Sequence, residues 1–173
     1  MKYKKIRPKF NLDNRGSIFE IYSNSFNYCV KPKHMYISTS KKGVVRGFHQ
    51  QLKVPQKKLV FCLAGEIADY AANIDPFSDE FGSVYCHSLS GQAGEGVIIG
   101  RKFAHAFECL SEECTLLYIC DKDYIAEDQL GINPLDDMFC SLWKIANPIL
   151  SNKDRDGLSI KAVKQILINN VQE

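Results

Sequence analysis

The stretch from Val44 to Glu66 gathers three kinds of polar chemistry in a short run of chain. Arg46 and His49 stand three positions apart, a loop holding Pro55 follows, and Lys58 leads into the apolar run Leu59-Val60-Phe61-Cys62-Leu63. A lysine at the edge of such a run is open to desolvation, which lowers its pKa and turns it into a cation aimed at the protein interior. Histidine is the side chain best suited to moving protons near neutral pH. The set would place an electrophilic or pKa-shifted lysine with an arginine and a histidine at the mouth of a β-structure. The other reading of the same residues, a hydrogen-bonded wall histidine and a surface lysine, stays open at this point.

The elements that must position these groups read as short strands. Ile18 to Ile21, His34 to Thr39, Gly43 to Gly47, Leu59 to Leu63, Glu66 to Asp75, Ser83 to Ser88, Gly96 to Gly100 and Cys114 to Cys120 are strand-like, with turn residues between them. Leu59–Leu63 and Glu66–Asp75 are expected to pair as a hairpin about Ala64-Gly65. Asp69 falls inside the second of these, where a buried carboxylate needs a partner, and His49 or Lys58 is the nearest cation to propose. His105 lies between aromatic residues, Tyr118 is the polar handle of the last strand, and Arg15 beside Gly16 suits an anion contact or an exposed turn. Residues 121–142 are irregular, and Pro148 to Asp154 is expected to be extended. Ile160, Val163, Ile166 and Leu167 have the spacing of a helix over about 159–171, capped by Ser159. The implied class is all-β, a sandwich or jelly-roll barrel with a short C-terminal helix, formed as a single domain over 1–173.

Composition narrows the function. With 173 residues and a formal net charge of +2, the chain gives no electrostatic sign of a nucleic-acid or membrane partner. No apolar run has the length of a membrane span, and the N-terminal residues lack the pattern of a signal peptide. The cysteines are odd in number, seven, and none form Cys-x-x-Cys. They read as reduced, buried thiols of a cytoplasmic protein. The glycine-rich turn Gly91 to Gly96 lacks the lysine of a phosphate-binding loop. Gln51 occupies the second place of a His-x-His pair, so neither a metal nor another cofactor is expected.

Taken in order, the motifs resemble the nucleotide-sugar 3,5-epimerases of the dTDP-4-dehydrorhamnose type, whose fold is a cupin-like jelly roll. The resemblance runs from about Asp13 to Asp154. It rests on Asp13, Arg15-Gly16 and Phe19-Glu20, on Val45-Arg46-Gly47-Phe48-His49 with Gln51, and on Lys58-Leu59-Val60. It continues through Gly65-Glu66-Ile67 with Asp69, Phe103-Ala104-His105, Leu117-Tyr118, and Pro148-Ile149-Leu150-Ser151 with Lys153-Asp154. The resemblance implies His49 as general base with Asp154 as its partner, Tyr118 as general acid, and Lys58 stabilising an enolate oxygen. It implies substrate contacts from Arg15, Phe19, Glu20, Arg46, Gln51, His105 and Lys153, with Asp69 supporting the catalytic groups. It also implies a nucleotide-diphosphate-linked 4-keto-6-deoxy sugar as substrate, dTDP-linked by default and GDP- or CDP-linked as alternatives, in surface-polysaccharide synthesis. A homodimer is implied, with the Arg15 to Glu20 segment crossing to the partner. A C3-only epimerase or a non-catalytic sugar-nucleotide-binding module are the other readings. The chain departs from the family pattern in four places. A Gln-x-Asn reads His34-Met35-Tyr36, a Pro-Pro-Gly reads Gly100-Arg101-Lys102, a lysine reads Ile119 and a glutamate reads Gln129. All are expected around the nucleotide and sugar end of the pocket.

Overall fold

The computed structural model describes residues 3–171 other than 24, 27 and 29, and its regular structure is mostly strand. In chain order the strands are β1 (Lys4–Ile6), β2 (Phe10–Asp13), β3 (Gly16–Phe19), β4 (His34–Lys41), β5 (Val45–Gln51) and β6 (Lys58–Ala64). They continue as β7 (Glu66–Asn73), β8 (Val84–Ser90), β9 (Gly96–Ile99), β10 (Phe103–Cys109), β11 (Glu113–Cys120) and β12 (Gln129–Gly131). Two helices follow, α1 (Asn152–Arg155) and α2 (Ile160–Val171). One sheet has the order β1-β9-β6-β11-β4, the other β12-β5-β10-β7-β8, and β2-β3 forms a separate two-stranded ribbon. This is the all-β, jelly-roll architecture.

Strand alternation sorts the side chains into three layers. Val60, Cys62, Val97 and Leu116 from one sheet meet Ile67, Ala71 and Phe107 from the other in the inter-sheet core. The odd-numbered neighbours Leu59, Phe61 and Ile119 point out of the first sheet and are covered by Val30 and the segment carrying Tyr22 and Tyr28. Outside the second sheet, Phe48, Ala68, Tyr70 and Ala106 pack under Phe139, Trp143, Ile160 and Val163. The C-terminal segment therefore serves as a cover, with Ser159 Oγ capping α2 at the Ala162 N–H (3.2 Å). No helix among the described residues is long and apolar enough to cross a membrane.

Several local expectations are corrected. Leu59–Leu63 and Glu66–Asp75 do not pair with each other: β6 joins β9 and β11, whereas β7 joins β8 and β10. The turn at Ala64-Gly65 carries the chain from one sheet to the other. Gly65, at φ +76°, allows this because a Cβ there would meet Ser111 and the backbone of Cys114. Pro148 to Asp154 is not extended throughout, since Ser151 caps a helical turn that begins at Asn152. Among the cysteines, Cys62, Cys109, Cys114 and Cys120 are buried as expected, but Cys86 and Cys140 are exposed; Cys29 lies outside the described residues.

Candidate active site

A pair of residues three apart on a regular strand should face opposite sides. Arg46 and His49 nevertheless both line one pocket. Against β10, Arg46 pairs with Phe107 and His49 with His105, so β5 spends three steps where β10 spends two. This bulge re-phases the strand. Gly47 makes it possible: its φ is +115°, and a Cβ there would lie 2.6 Å from Ala106 Cα and closer still to the His105 carbonyl. Phe48, the next residue, is turned outward into the core beneath Phe139, 4.7 Å away between ring centroids.

The pocket has a volume of about 290 Å³ and opens between the two sheets. His49 Nε2 lies 2.6 Å from Asp154 Oδ1, with the histidine side chain 28% exposed and the aspartate 5%. Asp154 is fixed in turn by Ser151, whose hydroxyl donates to its Oδ2 (2.8 Å) and accepts from its backbone N–H (3.1 Å). Burial pushes the Asp154 carboxyl up, but the hydrogen bond and charge of His49, the Ser151 hydroxyl and the Arg46 cation outweigh it, so the carboxyl sits below its ordinary range. A carboxylate on one ring nitrogen fixes the tautomer and strengthens the other nitrogen as a base.

Lys58 and Tyr118 come from the opposite sheet. Lys58 Nζ reaches across to donate to the His49 carbonyl (3.3 Å), and burial lowers its pKa, with Cys120 acting in the other direction. Burial also raises the Tyr118 phenol well above its ordinary value, and Tyr36 and Asp69 add to this against Ser38 and Arg46. Tyr118 therefore stays protonated and available as an acid. His105 shows the same pairing as His49: its Nε2 lies 2.7 Å from Asp69 Oδ2. Asp69 is thus partnered by His105, not by His49 or Lys58, and lies behind the pocket wall. Its second oxygen accepts from Tyr3 OH at 2.8 Å, and burial together with the Asp69 charge drives the Tyr3 pKa far up. Arg46 is steered by β4, donating from Nε to Ser40 Oγ (2.9 Å) and from Nη2 to the Thr39 carbonyl (3.2 Å). Lys153 reaches the rim, where it shares the Gln129 amide oxygen with Tyr124 OH.

The structure thus brings His49, Lys58, Tyr118, Asp154, Arg46, His105 and Lys153 together. Gln51 is not in the pocket. Its amide N–H donates to the Val54 and Asp123 carbonyls (2.9 and 3.1 Å) and its oxygen accepts from Ile125 N–H (2.6 Å), so its polar groups are spent on two loops. Arg15, Phe19 and Glu20 lie on or beside the β2–β3 ribbon, outside the pocket of their own chain, and Arg15 is paired with Asp13. The departures divide: Tyr36 and Gln129 line the pocket, whereas Arg101 and Lys102 do not, being paired with Asp121 and Asp75 in the turn before β10. Sequence reasoning did not single out Ser38, Phe107 or Ser151 as lining residues. For Ser38 and Phe107 the available signal was alternation with Tyr36 on β4 and His105 on β10; for Ser151 it was the place three residues before Asp154, where it caps α1. Among the described residues no group of three or more His, Cys, Asp or Glu side chains is disposed to hold a metal ion.

Comparison with known proteins agrees with this geometry. The family model described as dTDP-4-dehydrorhamnose 3,5-epimerase matches residues 2–162. The chain is 35% identical over 156 residues to a dTDP-4-dehydrorhamnose 3,5-epimerase of Shigella flexneri, covering 87% of this chain and 86% of the relative. It is 28% identical to a dTDP-4-dehydrorhamnose 3-epimerase of Streptomyces niveus, covering 88% of this chain and 77% of the relative. A crystal structure of dTDP-6-deoxy-D-glucose-3,5-epimerase from Legionella pneumophila Philadelphia 1, in complex with dTDP-4-keto-L-rhamnose, superimposes with a TM-score of 0.89 at 32% identity, over 95% of this chain and 91% of that one. On motif order, architecture and these matches alike, the chain belongs to the dTDP-4-dehydrorhamnose 3,5-epimerase family.

Proposed function

We propose that this pocket inverts C3 and C5 of a dTDP-linked 4-keto-6-deoxy sugar through an enolate, as part of making a deoxysugar for surface polysaccharide. The observation that carries the reading is that a histidine–carboxylate pair and a protonated tyrosine line one pocket from facing sheets, with a buried lysine of the tyrosine's sheet reaching the His49 carbonyl. A C–H beside a ketone is acidic only if the charge that builds on oxygen is stabilised, and a preorganised cation in a water-poor site does this well. Lys58 is placed for that work. His49, its tautomer held by Asp154, takes the proton from one face. Tyr118 returns one from the other, which is what inversion requires. Arg46 and Lys153, at the open end of the pocket, supply cations for a diphosphate.

The same reading includes a homodimer. β4 is the outermost strand of its sheet, with Met35 and Ile37 exposed by 63% and 61% on its outer face, and Leu12 and Ile18 of the β2–β3 ribbon are exposed by 80% and 70%. Such an edge and ribbon fit a second copy of the chain, and a crossing ribbon would carry Arg15, Phe19 and Glu20 to the partner's pocket. The free thiols of the described cysteines fit a reducing, cytoplasmic location.

The test is solvent exchange followed by NMR in deuterated water, with dTDP- and GDP-linked 4-keto-6-deoxy sugars. Deuterium entering at both C3 and C5 of the dTDP sugar is expected. Exchange at C3 alone would make it a 3-epimerase, exchange only with the GDP sugar would change the nucleotide, and no exchange would overturn the reading.

A further inference from the structure

Tyr36 and Tyr118 are direct partners across the β4–β11 pair, and both line the pocket. Their rings are parallel, 4.5 Å apart between centroids with 5° between planes. His105 meets the Tyr118 ring edge-on, at 5.8 Å and 67°. The acid is therefore held on a flat face by one side chain and on another side by the second. Tyr36 is itself braced: its ring contacts His34 at 5.3 Å, and His34 contacts Tyr124 at 6.3 Å. A ladder of four rings runs from the pocket floor to its rim. A tyrosine has only two side-chain torsions, so once its ring plane is fixed the place of its hydroxyl is fixed too.

We propose that Tyr36 is a positioning residue for proton delivery, its ring holding the Tyr118 ring so that inversion wins over simple exchange. This rests on the epimerase reading above. In the first step His49 takes the C–H proton and the bonding pair moves through carbon to the C4 oxygen beside Lys58. In the second, the enolate pair returns to carbon and takes the Tyr118 proton on the opposite face; the phenolate left behind regains a proton from solvent and the His49 imidazolium gives its proton up to solvent. If Tyr118 is displaced, the imidazolium of His49 is the acid on the face that lost the proton. It returns a solvent-derived proton to the face that lost one, giving exchange with retention. The stacked ring thus controls the partition between two outcomes of one enolate.

The experiment measures, in deuterated water with the dTDP-linked 4-keto sugar, initial rates of deuterium entry and of inversion at the same carbon. The wild-type protein is compared with Tyr36→Leu, Tyr36→Asn and Tyr36→Phe. Loss of the stack in Tyr36→Leu and Tyr36→Asn should lower the inversion-to-exchange ratio about three- to tenfold, the effect expected for one aromatic pair, while total exchange stays within about twofold. Tyr36→Phe, which keeps the ring, should keep the wild-type ratio. The partially exposed position (40%) tolerates substitution, and two stack-breaking variants guard against one that fails to fold. An unchanged ratio in both overturns the proposal. So does a parallel loss of exchange and inversion, which would make Tyr36 a wall residue, or a Tyr36→Phe ratio as low as that of Tyr36→Leu, which would transfer the role to the hydroxyl. Absence of exchange in the wild type would instead sink the epimerase reading, and this inference with it.

Discussion

Lys58 is the most informative single side chain. Burial is the largest influence on it and lowers its pKa from the ordinary 10.5, because a desolvated ammonium is less stable than a desolvated amine. The protonated form is the one that stabilises an enolate, so turnover should fall as pH rises through this lowered value. The alkaline limb of kcat/KM is therefore expected below pH 10.5; a limb at or above it would contradict the role. Tyr118 cannot produce that limb, since its own pKa lies well above 10.0. On the proposed roles, His49→Ala and Tyr118→Phe should each cut kcat by about 10²–10⁴ in a protein that still folds. Wild-type-like turnover in either variant would remove that residue from the mechanism.

At the scale of elements, the decisive local feature is the bulge at Gly47. Placing a methyl group there meets the backbone of β10, which has no flexible side chain to yield, and the positive φ adds strain. Gly47→Ala should destabilise the protein by about 1–3 kcal/mol, read as a drop in melting temperature, and should reduce kcat by moving His49. Retained activity with only a stability loss would show that β5 keeps its phase without the glycine. The same bulge explains what was and was not legible in the sequence. Apolar runs such as those of β6 and β11 gave most strands, and the helical spacing of Ile160, Val163, Ile166 and Leu167 gave the C-terminal helix. The motifs named His49, Lys58, Tyr118, Asp154, Arg46, His105 and Lys153, which gather in the pocket, but also Gln51, Arg15, Phe19 and Glu20, which do not. Alternation alone, however, would have put Arg46 and His49 on opposite faces. Pairing was less legible than strand identity: Ala64-Gly65 looks like a hairpin turn, and only the partners of the two strands, β9 and β11 for β6 but β8 and β10 for β7, show that each belongs to a different sheet. Asp69 was rightly expected to have a partner, but the partner sits across a strand pair, where sequence distance is no guide. Gln51 follows His49 by two positions and yet serves loops, because the strand ends there and its amide meets their carbonyls first.

For the molecule as a whole, the β4 edge with the β2–β3 ribbon is the proposed dimer surface. Sedimentation should report a dimer, and Ile37→Asp on the outer face of β4 should shift it toward monomer and lower kcat, if the ribbon supplies Arg15 and Glu20 in trans. A wild-type monomer with full activity would remove the dimer from the reading. Thiol accessibility is a second whole-molecule property. Burial raises the Cys120 thiol to about 11 and Cys62 to about 12. Among the described cysteines, a maleimide should therefore modify Cys86 and Cys140 first under native conditions, with peptide mapping as the check.

The crossing at Ala64-Gly65 also bears on how the site comes into being. Lys58 and Tyr118 belong to one sheet, His49 and His105 to the other, and the strands that carry them pair with partners far along the chain. Such non-local closure is slow, on the order of milliseconds to seconds. Neither sheet alone holds both His49, the proposed base, and Tyr118, the proposed acid. A refolding chain could thus regain strand signal early and still do no chemistry. Enzymatic competence should return only with the final docking of the two sheets, as a late and all-or-none event.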